Sequence, residues 1–158
     1  HTVSARIINT TSGAGLQGSI GQSNYAAAKA GIAALTINQG AELGRYGITA
    51  NAICPVARTG MTTAVPEMAE RMAAPKDGSF DHFAPENVSS VVVWLCSEAS
   101  AHVTGKIIEA EGGRIALADG WRSTEGIEQQ ARWEPEEVGS VMTRLLEQEQ
   151  PPQKVWGT

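Results

Sequence analysis

One stretch constrains the fold more than any other: "SNYAAAKAGIAALTINQGAEL", from Ser23 to Leu43. It is rich in Ala, contains no proline and closes at Gly44, which predicts a single long helix. Before it, "RIINTTS" (Arg6 to Ser12) opens with apolar β-branched residues and ends in small polar ones. That is the pattern of a buried strand delivering its last side chains to a site. After it, "GITANAICP" (Gly47 to Pro55) reads as a second buried strand, stopped by Pro55. Two such strands joined by a helix pair in parallel through a right-handed crossover.

The rest of the chain extends this plan. Gly13, Gly15, Gly18 and Gly21 predict a loop between the first strand and the long helix. Thr59 to Phe83 is polar, Met-rich and irregular, the profile of a flap with one short helix. Pro85 stands at a helix first-turn position, and "ENVSSVVVWLCSEA" follows as a mostly buried helix with Trp94 in the core. "GKIIEAEGG" supplies a third strand. Beyond Trp121 the texture becomes charged, with one amphipathic helix from Pro135 to about Glu147 whose apolar stripe is Val138, Val141, Met142, Leu145 and Leu146. The expected fold is α/β, a parallel sheet covered on both faces over residues 1–121, with a C-terminal extension over 122–158.

Composition narrows the function classes. A net charge of −5 argues against a nucleic-acid binder, which needs Lys and Arg to neutralise phosphates. The longest apolar run, Val91 to Cys96, is too short to span a bilayer, and "HTVSARIIN" leads into strand-like sequence without a secretory signal. Cys54 and Cys96 stand outside any C-x-x-C spacing, which points to a reducing, cytoplasmic setting. His1, His82 and His102 are scattered, so no metal site is expected.

The chemistry concentrates at three residues. Tyr25 and Lys29 are four apart on the long helix and therefore share a face. A free phenol, with a pKa near 10, is a poor acid or base at neutral pH, but an ammonium fixed beside it favours the phenolate. Such a pair can act as a general acid/base. Ser12, at the end of the first strand, offers a neutral hydroxyl that can hold a substrate oxygen near the phenol. The natural use of the set is proton transfer at a carbonyl or alcohol oxygen. The carbon must then gain or lose a hydride, which requires a nicotinamide cofactor.

A strand ending in Ser12, Tyr25-x-x-x-Lys29 on the next helix and Asn51-x-x-x-Pro55 at the following strand end resemble the short-chain dehydrogenase/reductase family, from about Arg6 to Ala116. The segments "AGLQGSIGQSNYAAAKAGI", "PVARTGMT", "APENVSSVVVWLCSE" and "DGW" are most similar to the (3R)-hydroxyacyl-CoA dehydrogenase domain of peroxisomal multifunctional enzymes and its bacterial relatives. The resemblance implies a Rossmann-type doubly wound sheet, of which this chain would be the C-terminal half. It implies a proton-transferring Tyr25, a substrate-orienting Ser12, and Lys29 favouring the phenolate while holding nicotinamide ribose hydroxyls. Tyr25, Lys29, Pro55, Val56, Ala57 and Thr59 would line the cofactor, NAD or NADP. Val56 stands where many members have Gly, and the segment to Thr59 is one residue shorter than theirs. The family's G-x-x-x-G-x-G cofactor loop does not precede Ser12.

The activity implied is interconversion of a secondary alcohol and a ketone, with a 3-hydroxyacyl/3-oxoacyl thioester as the small-molecule substrate. Homo-oligomers, dimer or tetramer, would form in the full-length protein, the Ala-rich face from Ala26 to Ala34 suiting close helix contact. The rival expectation is a truncated, non-catalytic half-domain acting only with a partner or a missing N-terminal half. Met61, Met68 and Met72 read as ordinary packing or as a lid over an acyl chain. Cys54 reads as a buried inert thiol.

Overall fold

The apolar residues after Ser4 form β1 (Ala5–Thr10), and those after the long helix form β2 (Ile48–Val56). They pair in parallel, Ala5 opposite Ile48 and Thr10 opposite Ile53. In this computed structural model, which describes residues 4–118, 120–121, 123–150 and 153–157, β3 (Ile107–Glu111) joins β2 in parallel, Ala52 opposite Ile107. His1 and the Asp119 of "DGW" lie outside the described residues. A fourth strand, β4 (Arg114–Ala118), returns antiparallel to β3, giving the order β1-β2-β3-β4. The sequence pattern predicts no strand beyond Gly113. Gly112 takes φ +52, a left-handed conformation that suits glycine, and lets the chain reverse in two residues.

Helices cover both faces. α1 (Gly13–Gln17) occupies the expected loop, and α2 (Ser23–Leu43) has the expected limits. The flap holds two short helices rather than one, α3 (Gly60–Thr63) and α4 (Pro66–Arg71), and α5 (Glu86–Cys96) follows Pro85. Because side chains alternate along a strand, Ala52 and Ile107 meet Ala33 of α2, while Ile53 and Ile108 meet Val88, Val91 and Leu95 of α5. Each fully buried aliphatic side chain of this kind contributes roughly 1.5–3 kcal/mol. Trp94 is not in that core. The inward stripe of α5 runs through Val88, Val91 and Leu95, and Trp94 lies at its margin, 42% exposed, beside an apolar hollow shared with Ile115 and Leu117. Met72 is buried and Met61 is exposed, so the three methionines do not share one environment.

The chain divides into two compact units, His1–Ala118 with Val155–Thr158, and Asp119–Lys154. The second contains α6 (Pro135–Glu147), started by Pro135 and by a reciprocal cap between Glu134 and Glu137. Among the described residues no helix is long and apolar enough to cross a membrane.

Close approach between α2 and the turn before β3 depends on Gly40. A β-carbon there would sit 2.6 Å from the Gly105 nitrogen and 2.7 Å from its Cα. Backbone cannot swing aside as a side chain can. Gly40→Ala is therefore expected to lower the unfolding free energy by about 1–3 kcal/mol, despite its better helix propensity, as read from urea midpoints. An unchanged or raised midpoint would show that the contact is loose.

Candidate active site

β1 hands its last residues to α2 through polar contacts. The Thr11 N–H donates to the Ile53 carbonyl at 2.8 Å, and the buried Thr11 hydroxyl donates to the Lys29 carbonyl at 2.7 Å. Ser12 follows in extended conformation, φ −156 and ψ 151, and its Oγ accepts from the Ala14 N–H at 3.3 Å, capping α1. α1 then lies against α2 so closely that a β-carbon on Gly15 would be 2.5 Å from the Ala30 nitrogen. Small residues at 15 and 30 thus bring the serine end of α1 beside the first turns of α2.

Tyr25 stands in those first turns and is 42% exposed. One turn on, the Lys29 Nζ lies 5.7 Å from the Tyr25 ring centroid and donates to the Thr10 carbonyl at 2.9 Å. That bond occupies one of the three N–H donors of the ammonium. The cation is thereby fixed on the phenol's side of the helix, two residues from Ser12 along the chain. Asn9 braces the same junction, donating to the Thr36 hydroxyl and to Gln39 Oε1, each at 2.9 Å. Asn51 ties backbone instead, donating to the Val103 carbonyl at 2.9 Å and accepting from the Lys106 N–H at 3.1 Å.

The residues expected to meet a cofactor fall in two places. Pro55 and Val56 end β2 opposite Ala110 and Glu111. Pro55, Ala57 and Thr59 line one open groove of about 460 Å³ with Ile53 and Val88, whereas Val56 is not part of its lining. Thr59 caps α3 in a reciprocal arrangement with Thr62. Since β1 and β2 are parallel, this groove and the Ser12–Tyr25–Lys29 region both lie toward the carboxyl ends of the strands, where open α/β sheets bind ligands. A larger apolar hollow, about 720 Å³, is lined by Trp94, His102, Lys106, Ile115 and Leu117 and includes none of the expected site residues. Among the described residues no group of three His, Cys, Asp or Glu could hold a metal ion.

Cys54 is buried beside the groove, facing Glu109 across the ladder. Burial first, and then the Glu109 charge, push its thiol up to about 11, so it stays protonated at neutral pH.

Sequence reasoning missed several contributors. In the sequence Thr10 and Thr11 read only as a strand end. Gly15 reads in the sequence as loop, which hides its packing against Ala30. Trp156, whose N–H donates to the Gly18 carbonyl at 3.3 Å, returns to this segment with no periodic signal in the sequence.

A parallel strand–helix–strand unit with a serine at the first strand end and a tyrosine–lysine pair on the helix defines an α/β chain of the Rossmann-like class. Residues 2–114 match the family model described as enoyl-(acyl carrier protein) reductase, and the chain belongs to the short-chain dehydrogenase/reductase family. It is 47% identical to hydroxyacyl-CoA dehydrogenase ChsB1 of Mycobacterium tuberculosis, over 73% of this chain and 36% of the relative. It is 41% identical to the (3R)-3-hydroxyacyl-CoA dehydrogenase of Rattus norvegicus, over 68% of this chain and 42% of the relative. A solved short chain dehydrogenase from Mycobacterium avium superposes with a TM-score of 0.80 at 51% identity, over 97% of this chain and 47% of that one. The chain therefore spans less than half the length of these relatives.

The flap is closed at its neck. Arg58 pairs with both oxygens of Asp81 and donates to the Met72 carbonyl at 2.8 Å, while its N–H donates to the Phe83 carbonyl at 2.7 Å. The hydrogen-bonded guanidinium holds the Asp81 carboxyl below its ordinary range. A depressed carboxylate contributes stability that is present above its unfolded pKa and lost as pH falls through its folded one. The gap in urea midpoint between wild type and Asp81→Asn is expected to be widest at pH 7 and to close as pH drops below about 3.9. A gap independent of pH would mean that the ion pair is not its source.

Proposed function

We propose that the protein is an NAD(P)-dependent oxidoreductase that interconverts a 3-hydroxyacyl and a 3-oxoacyl thioester. The observation that carries this reading is the Lys29 ammonium, 5.7 Å from the Tyr25 ring and tethered to the Thr10 carbonyl just before Ser12. In the reducing direction Ser12 donates a hydrogen bond to the substrate carbonyl and orients it. Tyr25 gives its phenolic proton to that oxygen as the carbon becomes tetrahedral, and the Lys29 charge stabilises the phenolate left behind. In the oxidising direction the phenolate takes the proton back. When bound, a nicotinamide supplies or accepts the hydride at the carbon.

The residues present fit the nicotinamide end of such a cofactor. Lys29 has N–H donors beyond the one used on Thr10 and suits ribose hydroxyls. Pro55, Ala57 and Thr59 line an open, mostly apolar groove suited to a flat ring, with Val56 beside them at the strand end. The thioester is favoured because the relatives include hydroxyacyl-CoA dehydrogenases and a 3-oxoacyl-[acyl-carrier-protein] reductase from Thermotoga maritima, whose substrates share an oxygen at the 3-position of an acyl thioester.

The test is oxidation of NADH or NADPH by the full-length protein with 3-oxoacyl-CoA. Tyr25→Phe is expected to lower kcat by about 10²–10⁴ while leaving NADH binding, read by cofactor fluorescence, intact. Activity within about twofold of wild type would exclude Tyr25 as the acid/base.

The protein is also proposed to form a homodimer through α2. Ala27, Gly31, Ala34, Leu35 and Asn38 are exposed on one side of that helix, at spacings that form a continuous face of mostly small residues. Leu35→Glu is expected to yield a monomer in sedimentation velocity, and an unaltered oligomer would place the contact elsewhere.

A further inference from the structure

Near its end the chain returns to the segment that follows Ser12. The Ile20 N–H donates to the Trp156 carbonyl at 3.0 Å, and the Trp156 N–H donates to the Gly18 carbonyl at 3.3 Å, so that Ser19 and Trp156 form a parallel bridge. The indole lies against Gly13. A β-carbon there would be 2.4 Å from Cζ2 and 2.7 Å from Cη2. Gly157 also lies close, though less tightly, a β-carbon on it falling 3.3 Å from the Ile20 Cβ. Val155 to Gly157 thus form a strap within the same compact unit as Ser12.

This strap keeps apolar surface in the open. Packing on Gly13 covers one part of the ring and leaves the rest open to solvent. Trp156 is 43% exposed and Ile20 is 63% exposed, although the ring touches the residue next to Ser12. A large apolar surface is therefore held, by backbone bonds, one residue from the hydroxyl assigned to the substrate oxygen. Gly13 has no side chain to separate the two.

We propose that Trp156 is a specificity-determining residue. With Ile20 it forms an apolar wall for the part of the substrate beyond the reacting carbon, and so favours long acyl groups over short ones. This rests on the oxidoreductase reading above.

The experiment compares kcat/KM of full-length wild type, Trp156→Phe and Trp156→Ala on acetoacetyl-CoA and on 3-oxododecanoyl-CoA. Trp156→Ala is expected to lose about tenfold or more on the long substrate, mainly through KM, and less than about twofold on the short one, with Trp156→Phe between them. NADH binding and Tm of Trp156→Phe monitor the fold. Equal losses on both substrates, or none on either, would overturn the proposal, because a purely structural strap cannot discriminate chain length. Should wild type turn over neither thioester, the substrate reading falls on its own. The same ratio is then taken on short and long 2-alkanols, where loss of the long-chain preference in Trp156→Ala supports the wall and an unchanged ratio overturns it.

Discussion

Everything in this structure hangs on how α2 is fastened to the end of β1. Apolar contact alone would let a helix slide over a sheet, since Ala33 against Ala52 and Ile107 offers smooth, small surfaces. Polar contacts stop the slide. Asn9 reaches Thr36 and Gln39, Thr11 reaches the Lys29 carbonyl, and Lys29 reaches back to the Thr10 carbonyl. The Asn9 and Thr11 bonds are partly withdrawn from water, so breaking one leaves an unpaired donor or acceptor, typically costing about 1–3 kcal/mol, whereas the Lys29 bond is exposed. The register of helix on strand is thereby specified, and with it the position of Tyr25 relative to Ser12.

Glycine makes that fastening possible at two points along α2. Gly15 admits the backbone of Ala30, and Gly40 admits the turn at Gly105. Between them the helix lies close enough to the sheet and to α1 for short side chains such as Thr11 to bridge the gap. On the opposite face α5 follows the more usual rule, burying Val88, Val91 and Leu95 as an apolar stripe against Ile53 and Ile108. One face of the sheet is thus fixed largely by polar geometry and the other by hydrophobic packing.

How legible this was in the sequence follows the same division. The limits of α2 could be read from Ala content and the closing glycine, and the parallel strands from their continuous apolar runs, because both are local or periodic signals. The Tyr25–Lys29 pair was readable because four residues is one helical turn. β4 is not expected from the sequence, although Gly112-Gly113 between two apolar runs is a hairpin signal, and its Ile115 and Leu117 are left exposed at the surface. α1 was hidden by its glycines, and Trp94 was misplaced because a helix with apolar residues at 91 to 95 does not reveal which of them turns inward. The docking of Trp156 onto Gly13 joins residues at opposite ends of the chain, and no window of sequence contains both.

The anchoring of Lys29 to a carbonyl rather than to a side chain has an evolutionary consequence. Every amino acid at position 10 brings the same carbonyl, so no single substitution there deletes the acceptor. Variation is free to sample that strand end, tuning what lies next to Ser12, while the cation keeps its tether. The tethered cation is in this respect insulated from drift at its own border.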